Sequence, residues 1–156
     1  MESTVKIKLD FSGMDKILKG CKVLSKKVRV GILNNPEEAE IGALQHFGGT
    51  GVYQYGPYEG QAVQIPPRPF LANAIDHFGA EILKGEAQNI KDFSQSNAEN
   101  VLNRIGDKSK FVVQGEIDSI ARAGGNSPRT IETKGKDSPL IDRGNLRASI
   151  EYEVSE

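Results

Sequence analysis

From Thr4 to Phe11 the chain alternates: Val5, Ile7, Leu9 and Phe11 stand against Thr4, Lys6, Lys8 and Asp10. Period-two alternation predicts a half-buried strand. The period then lengthens. Ser12 with Asp15 three residues on has the form of a capping box. It opens a short predicted helix through Met14, Ile17, Leu18, Cys21 and Leu24, weakened by Gly20. Residues 27–33 return to period two, with Val28, Val30 and Ile32 on one face. Asn35-Pro36-Glu37-Glu38 then has the parts of a helix start: a capping side chain, a proline for the first position and two carboxylates for the positive end of the dipole. This helix runs through Ala39, Ala43, Leu44 and Phe47 and stops at Gly48-Gly49.

Residues 48–60 are glycine-rich and hold Tyr53, Tyr55 and Tyr58. Tyrosines on a flexible segment offer large contact area at low entropic cost, which makes them recognition candidates. The alternative is a hairpin whose rings cover the domain's own sheet. Residues 62–65 form a predicted strand. Pro66-Pro67-Arg68-Pro69 must be extended, because a residue before proline avoids the helical region. Pro69 then opens a helix carrying Phe70, Leu71, Ala74, Ile75, Phe78, Ile82 and Leu83. Ser96 and Glu99 suggest a second capping box, before a helix striped by Leu102, Ile105, Val112, Val113, Ile117 and Ile120 and ended by Gly124-Gly125. Residues 124–145 are polar and read as a long loop with a short strand at Ile131; such loops are usually functional or disordered. Ala148, Ile150, Tyr152 and Val154 alternate with Ser149, Glu151, Glu153 and Ser155 as a final strand.

The expected fold is a single α+β domain over residues 1–156. A three- to four-stranded, mostly antiparallel sheet packs on amphipathic helices, with long Gly-rich loops. The length suits one core. Apolar residues make up 37% and charged residues 26%, too apolar a mix for general disorder. No run approaches the roughly 18 to 20 apolar residues that span a bilayer, so no membrane partner is expected. Residues 1–10 lack the apolar stretch of a secretory signal, which places synthesis in a cytoplasm. A net charge of −1 argues against a dedicated nucleic-acid binder.

Catalytic chemistry finds little support. Cys21 is the one cysteine and, at helical spacing with Ile17 and Leu24, is expected to be buried. His46, Asp76 and His77 lack any metal-ligand spacing, and no catalytic, metal or cofactor site is expected. Gly48-Gly49-Thr50-Gly51 follows a helix instead of leading a strand into one, unlike a phosphate loop. Arg122, Arg129, Lys134, Lys136, Arg143 and Arg147 outnumber Glu132, Asp137 and Asp142 nearby, a local excess that could touch DNA in a channel or be a solvated loop.

Three segments together resemble a known family: Glu40-Ile-Gly-Ala-Leu-Gln-His-Phe-Gly48, Ile65-Pro-Pro-Arg-Pro-Phe-Leu71 and Ser138-Pro-Leu-Ile-Asp-Arg-Gly-Asn-Leu-Arg-Ala-Ser-Ile150. In this order and spacing they look like the phage virion morphogenesis proteins, the tail-completion or head–tail joining proteins of long-tailed bacteriophages and prophages. The likeness covers most of the chain from about Val28 onward. It departs where His46 replaces an acidic residue before Phe-Gly, where Arg143 replaces threonine after the aspartate, and in a longer tyrosine loop. The resemblance implies a structural protein of the virion, assembled in the bacterial cytoplasm. Its implied partners are other tail and connector proteins and copies of itself, in a ring that is sixfold in many such proteins. Alternatives are a tail terminator, a minor tail subunit, a DNA-contacting connector or a small metal-dependent hydrolase.

On this reading Arg68, Tyr53, Tyr55, Tyr58, Arg129, Lys134 and Lys136 are the candidate partner contacts. Arg68 is held extended to reach a neighbour's carbonyl or carboxylate, or else anchors its own subunit. Phe47, Gly48, Pro67, Pro69, Phe70, Leu140, Asp142, Gly144 and Leu146 are motif residues with structural roles. Asp142 is expected to accept backbone hydrogen bonds in its turn, Gly144 to take a positive φ, and Leu146 to enter the core. The two polar segments, 48–60 and 124–145, are expected to order against neighbouring subunits.

Overall fold

A computed structural model describes residues 12–90 and 94–156. The described elements, in order, are α1 (Ser12–Leu24), β1 (Lys27–Ile32), α2 (Pro36–Phe47), β2 (Gly49–Val52), β3 (Ala62–Ile65), α3 (Phe70–Gln88), α4 (Gln95–Ala123), α5 (Pro128–Lys134), α6 (Asn145–Ala148) and β4 (Ile150–Ser155). The architecture is α+β, with small antiparallel sheets packed against helices. The strand predicted over residues 5–11 lies outside the described residues. The four described strands form two separate pairs, β1 with β4 and β2 with β3.

The first pair joins β1 to β4, two strands more than a hundred residues apart in the chain. Val28 stands opposite Val154, Val30 opposite Tyr152 and Ile32 opposite Ile150. Alternation puts all six side chains on one face, and that face packs on α4. Contact with α4 is close enough to require a glycine: a Cβ on Gly106 would run into the inner end of the Tyr152 ring. The opposite face carries Arg29 and Glu153, joined at 3.2 Å in an exposed ion pair of small energetic weight.

α3 and α4 pack along one another and supply most of the interior. Phe70, Ala74, Val113, Ile117, Leu140, Leu146 and Ile150 form the main cluster, and Val23, Ala98 and Leu102 a second one under α1. Full burial of one such side chain contributes roughly 1.5–3 kcal/mol. One charge lies inside this seam. Glu86 is 1% exposed, and its carboxylate accepts from Arg104 Nε at 2.7 Å and Lys108 Nζ at 2.6 Å.

Helix starts follow local chemistry. Asn35 caps α2 by accepting from the Glu38 N–H at 3.1 Å, with Pro36 in the first turn. α4 is capped by Ser94, not Ser96; its Oγ accepts from the Asn97 N–H, and residue 96 is already helical. The segment after α4 departs most from expectation. In place of a strand at Ile131 there is α5, capped by Ser127 and opened by Pro128. Gly135 closes it at φ 72, its N–H donating to the Ile131 carbonyl.

Candidate assembly surfaces

The tyrosine loop extends from the β2–β3 hairpin. Its neck is closed by the Tyr53 N–H donating to the Gln61 carbonyl and the Gly60 N–H donating to Tyr53. The loop folds onto α5. Gly56, at φ 86, lies so near Thr133 that a Cβ would meet its methyl at 2.9 Å. Each tyrosine hydroxyl then finds a partner in the C-terminal segment. Tyr53, nearly buried, sits 3.3 Å from Thr130 Oγ1 and 3.5 Å from Ser127 Oγ. Tyr58 donates to Glu132 at 2.7 Å while the Arg129 guanidinium lies 5.1 Å over its ring. Tyr55 donates to Asp142 at 2.9 Å. The Glu132 carboxylate raises the Tyr58 phenol above its ordinary pKa; burial first, then the Asp142 bond, raises that of Tyr55.

The basic candidates belong to the same clasp. Lys134 Nζ donates to the Ser138 carbonyl at 2.7 Å and Lys136 Nζ to the Asp142 carbonyl at 2.9 Å. Burial lowers the Lys134 pKa, partly offset by Asp142. Arg68 holds Gln45 Oε1 at 3.1 Å and reaches the Gly125 carbonyl and Asn126 Oδ1 at 3.4 and 3.5 Å. It anchors its own subunit. Asp137 accepts from the Gly125 and Asn126 N–H groups at 3.0 and 2.9 Å, which lowers its carboxyl pKa.

All seven contact candidates therefore converge, but on one another's segments within one chain. The expectation that residues 48–60 and 124–145 need a neighbour for order is corrected: they order each other. The Asp142 expectation changes too, since its carboxylate takes the Tyr55 hydroxyl.

The motif residues form the scaffold beneath. Gly48, at φ 74, leaves no room for a side chain: a Cβ would stand 2.8 Å from both the Ile65 carbonyl oxygen and Pro67 N. Pro69 precedes the fully buried Phe70. Leu140 reaches the core at φ 63, a conformation rare for a branched residue and held by burial on the main cluster. Gly144 has the positive φ expected, 89, and Leu146 enters the core.

Phe47 does not pack inward as its helical spacing suggested. It is 76% exposed, touching the His46 ring edge-on at 4.7 Å. Gly42 on the same helix is the residue turned to Ile32 and Leu146. Ile41 and Glu37 and Glu40 are exposed with Phe47. α1 corrects another expectation. Cys21 is exposed, as are Met14, Ile17 and Leu18; the helix buries Gly20 and Val23. Phe111, 74% exposed on α4, is a further large apolar side chain that faces outward. Helical periodicity marked these stripes without telling which side of each helix meets the core.

An open apolar groove of about 520 Å3 lies between β1, α3 and α4, lined among others by Val28, Ile75, Leu83 and Ile105. Among the described residues no group of three or more His, Cys, Asp or Glu side chains could hold a metal ion. His46 instead stacks edge-on against Phe70 at 5.3 Å, and burial lowers its pKa. No described helix is long and apolar enough to cross a membrane. Comparison with protein-family models, with curated proteins and with solved structures finds no match.

Proposed function

We propose that this chain is a structural protein of a bacteriophage or prophage virion, completing the tail and joining it to the head as a subunit of a ring. One observation carries the reading. The three segments whose order and spacing resemble the tail-completion proteins lie far apart in sequence, yet they meet around one core. Phe70 from the second packs with Leu140, Leu146 and Ile150 from the third. Gly42 from the first faces Leu146, and Gly48 closes on Ile65 and Pro67 of the second.

The outward-facing apolar side chains on α1 and α2 suit a protein that works in contact with others. The role asks for no bond chemistry, only for surfaces held in register by a rigid frame. Other tail and connector proteins, and copies of the chain itself, are its partners on this reading.

The test is electron microscopy of a lysate in which this gene alone is disrupted. DNA-filled heads beside unattached or defective tails are expected. Intact, infectious virions would sink the proposal.

A further inference from the structure

The β1–β4 sheet has an open side, and an apolar groove adjoins it. Among the described residues β1 pairs with β4 alone, so the backbone groups on its other edge have no strand partner. The groove of about 520 Å3 takes Val28 and Val30 of β1 as its wall and residues such as Ile75, Leu83 and Ile105 of α3 and α4 as its floor. No β4 residue is among the described residues that line it, and only Lys26 and Ser109 among them bring a polar side-chain atom. This surface is incompletely covered. Val28 and Val30 face inward yet stay half-buried, and Ile75 and Leu83 are 41% and 58% exposed.

An occupant of this place must bring a row of backbone donors and acceptors for the β1 edge and apolar side chains on one face for the groove. Residues 4–11, outside the described structure, have that pattern: Val5, Ile7, Leu9 and Phe11 alternate with Thr4, Lys6, Lys8 and Asp10. In β1 and β4 the same alternation belongs to strands with one face packed on α4. The β2–β3 pair offers no comparable seat, its strands being exposed or half-buried throughout. Lengths agree as well. Seven extended residues span about 20 Å at roughly 3.3 Å each, and Ile75 to Ala87 rise about 18 Å along α3. The segment joins α1 at Ser12, and Leu24 at the other end of α1 lines the groove. Residues 12–26 are long enough for the crossover that a parallel neighbour requires, so the connection permits either direction. We infer that residues 4–11 dock as a third strand on the free edge of β1, with Val5, Ile7, Leu9 and Phe11 in the groove. Lys6, Lys8 and Asp10 then face solvent beside Lys27 and Arg29, with Glu151 and Glu153 one strand further. Lysines on an outermost strand discourage its pairing with further chains. The inference concerns the chain itself and does not depend on the virion role.

Amide exchange on the full chain tests it. The double variant Ile7→Asp/Leu9→Asp sets two carboxylates against the apolar groove and should unseat the strand. Alternate amides of residues 5–11, and those of β1 that point away from β4, are expected to exchange at least about tenfold more slowly in wild type than in this variant. Lys6→Gln/Lys8→Gln, on the solvent face, is expected to leave the protection unchanged. Amides of the β1–β4 ladder and of α4 report whether the aspartate variant keeps its fold.

A thiol probe reads the groove with the segment unaltered. In Leu83→Cys the new thiol lies on the groove floor, and Cys21, exposed on α1, serves as the reference within the same molecule. With the strand seated, Leu83→Cys is expected to react with a maleimide at least about tenfold more slowly than Cys21. Equal reactivity of the two thiols, or fast exchange throughout residues 5–11 in wild type, would overturn the inference. So would protection on the free edge of β4 in place of β1, or equal sensitivity to the inward and outward substitutions. Protection that fades on dilution would overturn it too, by giving the groove to the same segment of another copy.

Discussion

In the clasp, Tyr53, Tyr55 and Tyr58 turn their hydroxyls onto α5 and the C-terminal turn, and Lys134 and Lys136 spend their ammonium groups on carbonyls of the same segment. On α1 and α2 large apolar side chains, Met14, Ile17, Leu18, Ile41 and Phe47, turn away from the chain. The irregular, glycine-rich region is thus the self-satisfied one, and regular helices hold uncommitted surface, on α1 and α2 as at Phe111 of α4. A loop can afford inward contacts because its backbone bends to bring each ring to a partner. A helix is rigid, and a stripe about 100° wide cannot face the core and the outside at once.

Beneath both regions lies the α3–α4 seam, which anchors global stability. Glu86→Ala removes a buried carboxylate and both of its charge-assisted bonds. Breaking a buried pair costs about 3–5 kcal/mol where an uncompensated charge stays inside. Arg104 and Lys108 are half exposed and can rehydrate, so the expected loss is at the lower end, about 3 kcal/mol in denaturant unfolding. The Lys108 bond, with Arg104, holds the Glu86 pKa below the usual carboxylate range against the opposing effect of burial. A depressed pKa means the unfolded chain takes up the proton first, near about 4.3. This contribution is therefore complete at neutral pH and is lost as pH falls below that value through the folded pKa. Thermal midpoints measured across that window should fall more steeply for wild type than for Glu86→Gln. Equal slopes would remove the seam as the anchor.

Tyr53→Ala tests whether the clasp is held from within. Its ring is nearly buried against α5, so truncation is expected to cost about 2 kcal/mol, short of a core Phe→Ala because the site is peripheral. Amide exchange should rise first in residues 127–134, before α3 and α4 respond. Unchanged protection of α5 would mean that the clasp is held by something other than the rings.

How much of this was legible in the sequence depends on where each signal acts. The caps of α2 act within three residues, so Asn35, Pro36 and Glu38 announced that helix directly. The same grammar was present at Ser127-Pro128 with Gly135 following, and it marks α5. The helix was missed because its seven residues hold one large apolar side chain, Ile131, and so carry no apolar stripe; its support comes from a tyrosine more than seventy positions away. Neither the pairing of β1 with β4 nor the division into two sheets was legible, because alternation marks a strand without naming its partner. Cys21 and Phe47 failed for one common reason. Periodicity identifies a stripe, but only the packing of Gly20 and Gly42 shows that each helix approaches the core through small residues.

The smallest expected effect on stability is also the most discriminating. Phe47→Ser removes a ring that is three-quarters exposed and meets the His46 ring edge-on. The close approach of Gly48 to Ile65 and Pro67 and the Arg68–Gln45 bond do not involve the ring. Stability should stay within about 0.5 kcal/mol of wild type, as for surface substitutions away from structural features. If α2 meets another copy in the assembly proposed above, the same change should still weaken self-association in sedimentation, since an aromatic anchor at the centre of a contact contributes far more than its rim. The two readouts separate cleanly. A large loss of stability would mean that Phe47 serves the fold, and the contrast between clasp and helical faces would collapse. Unaltered stability with unaltered association would leave the contrast intact but move the contact away from the C-terminal end of α2.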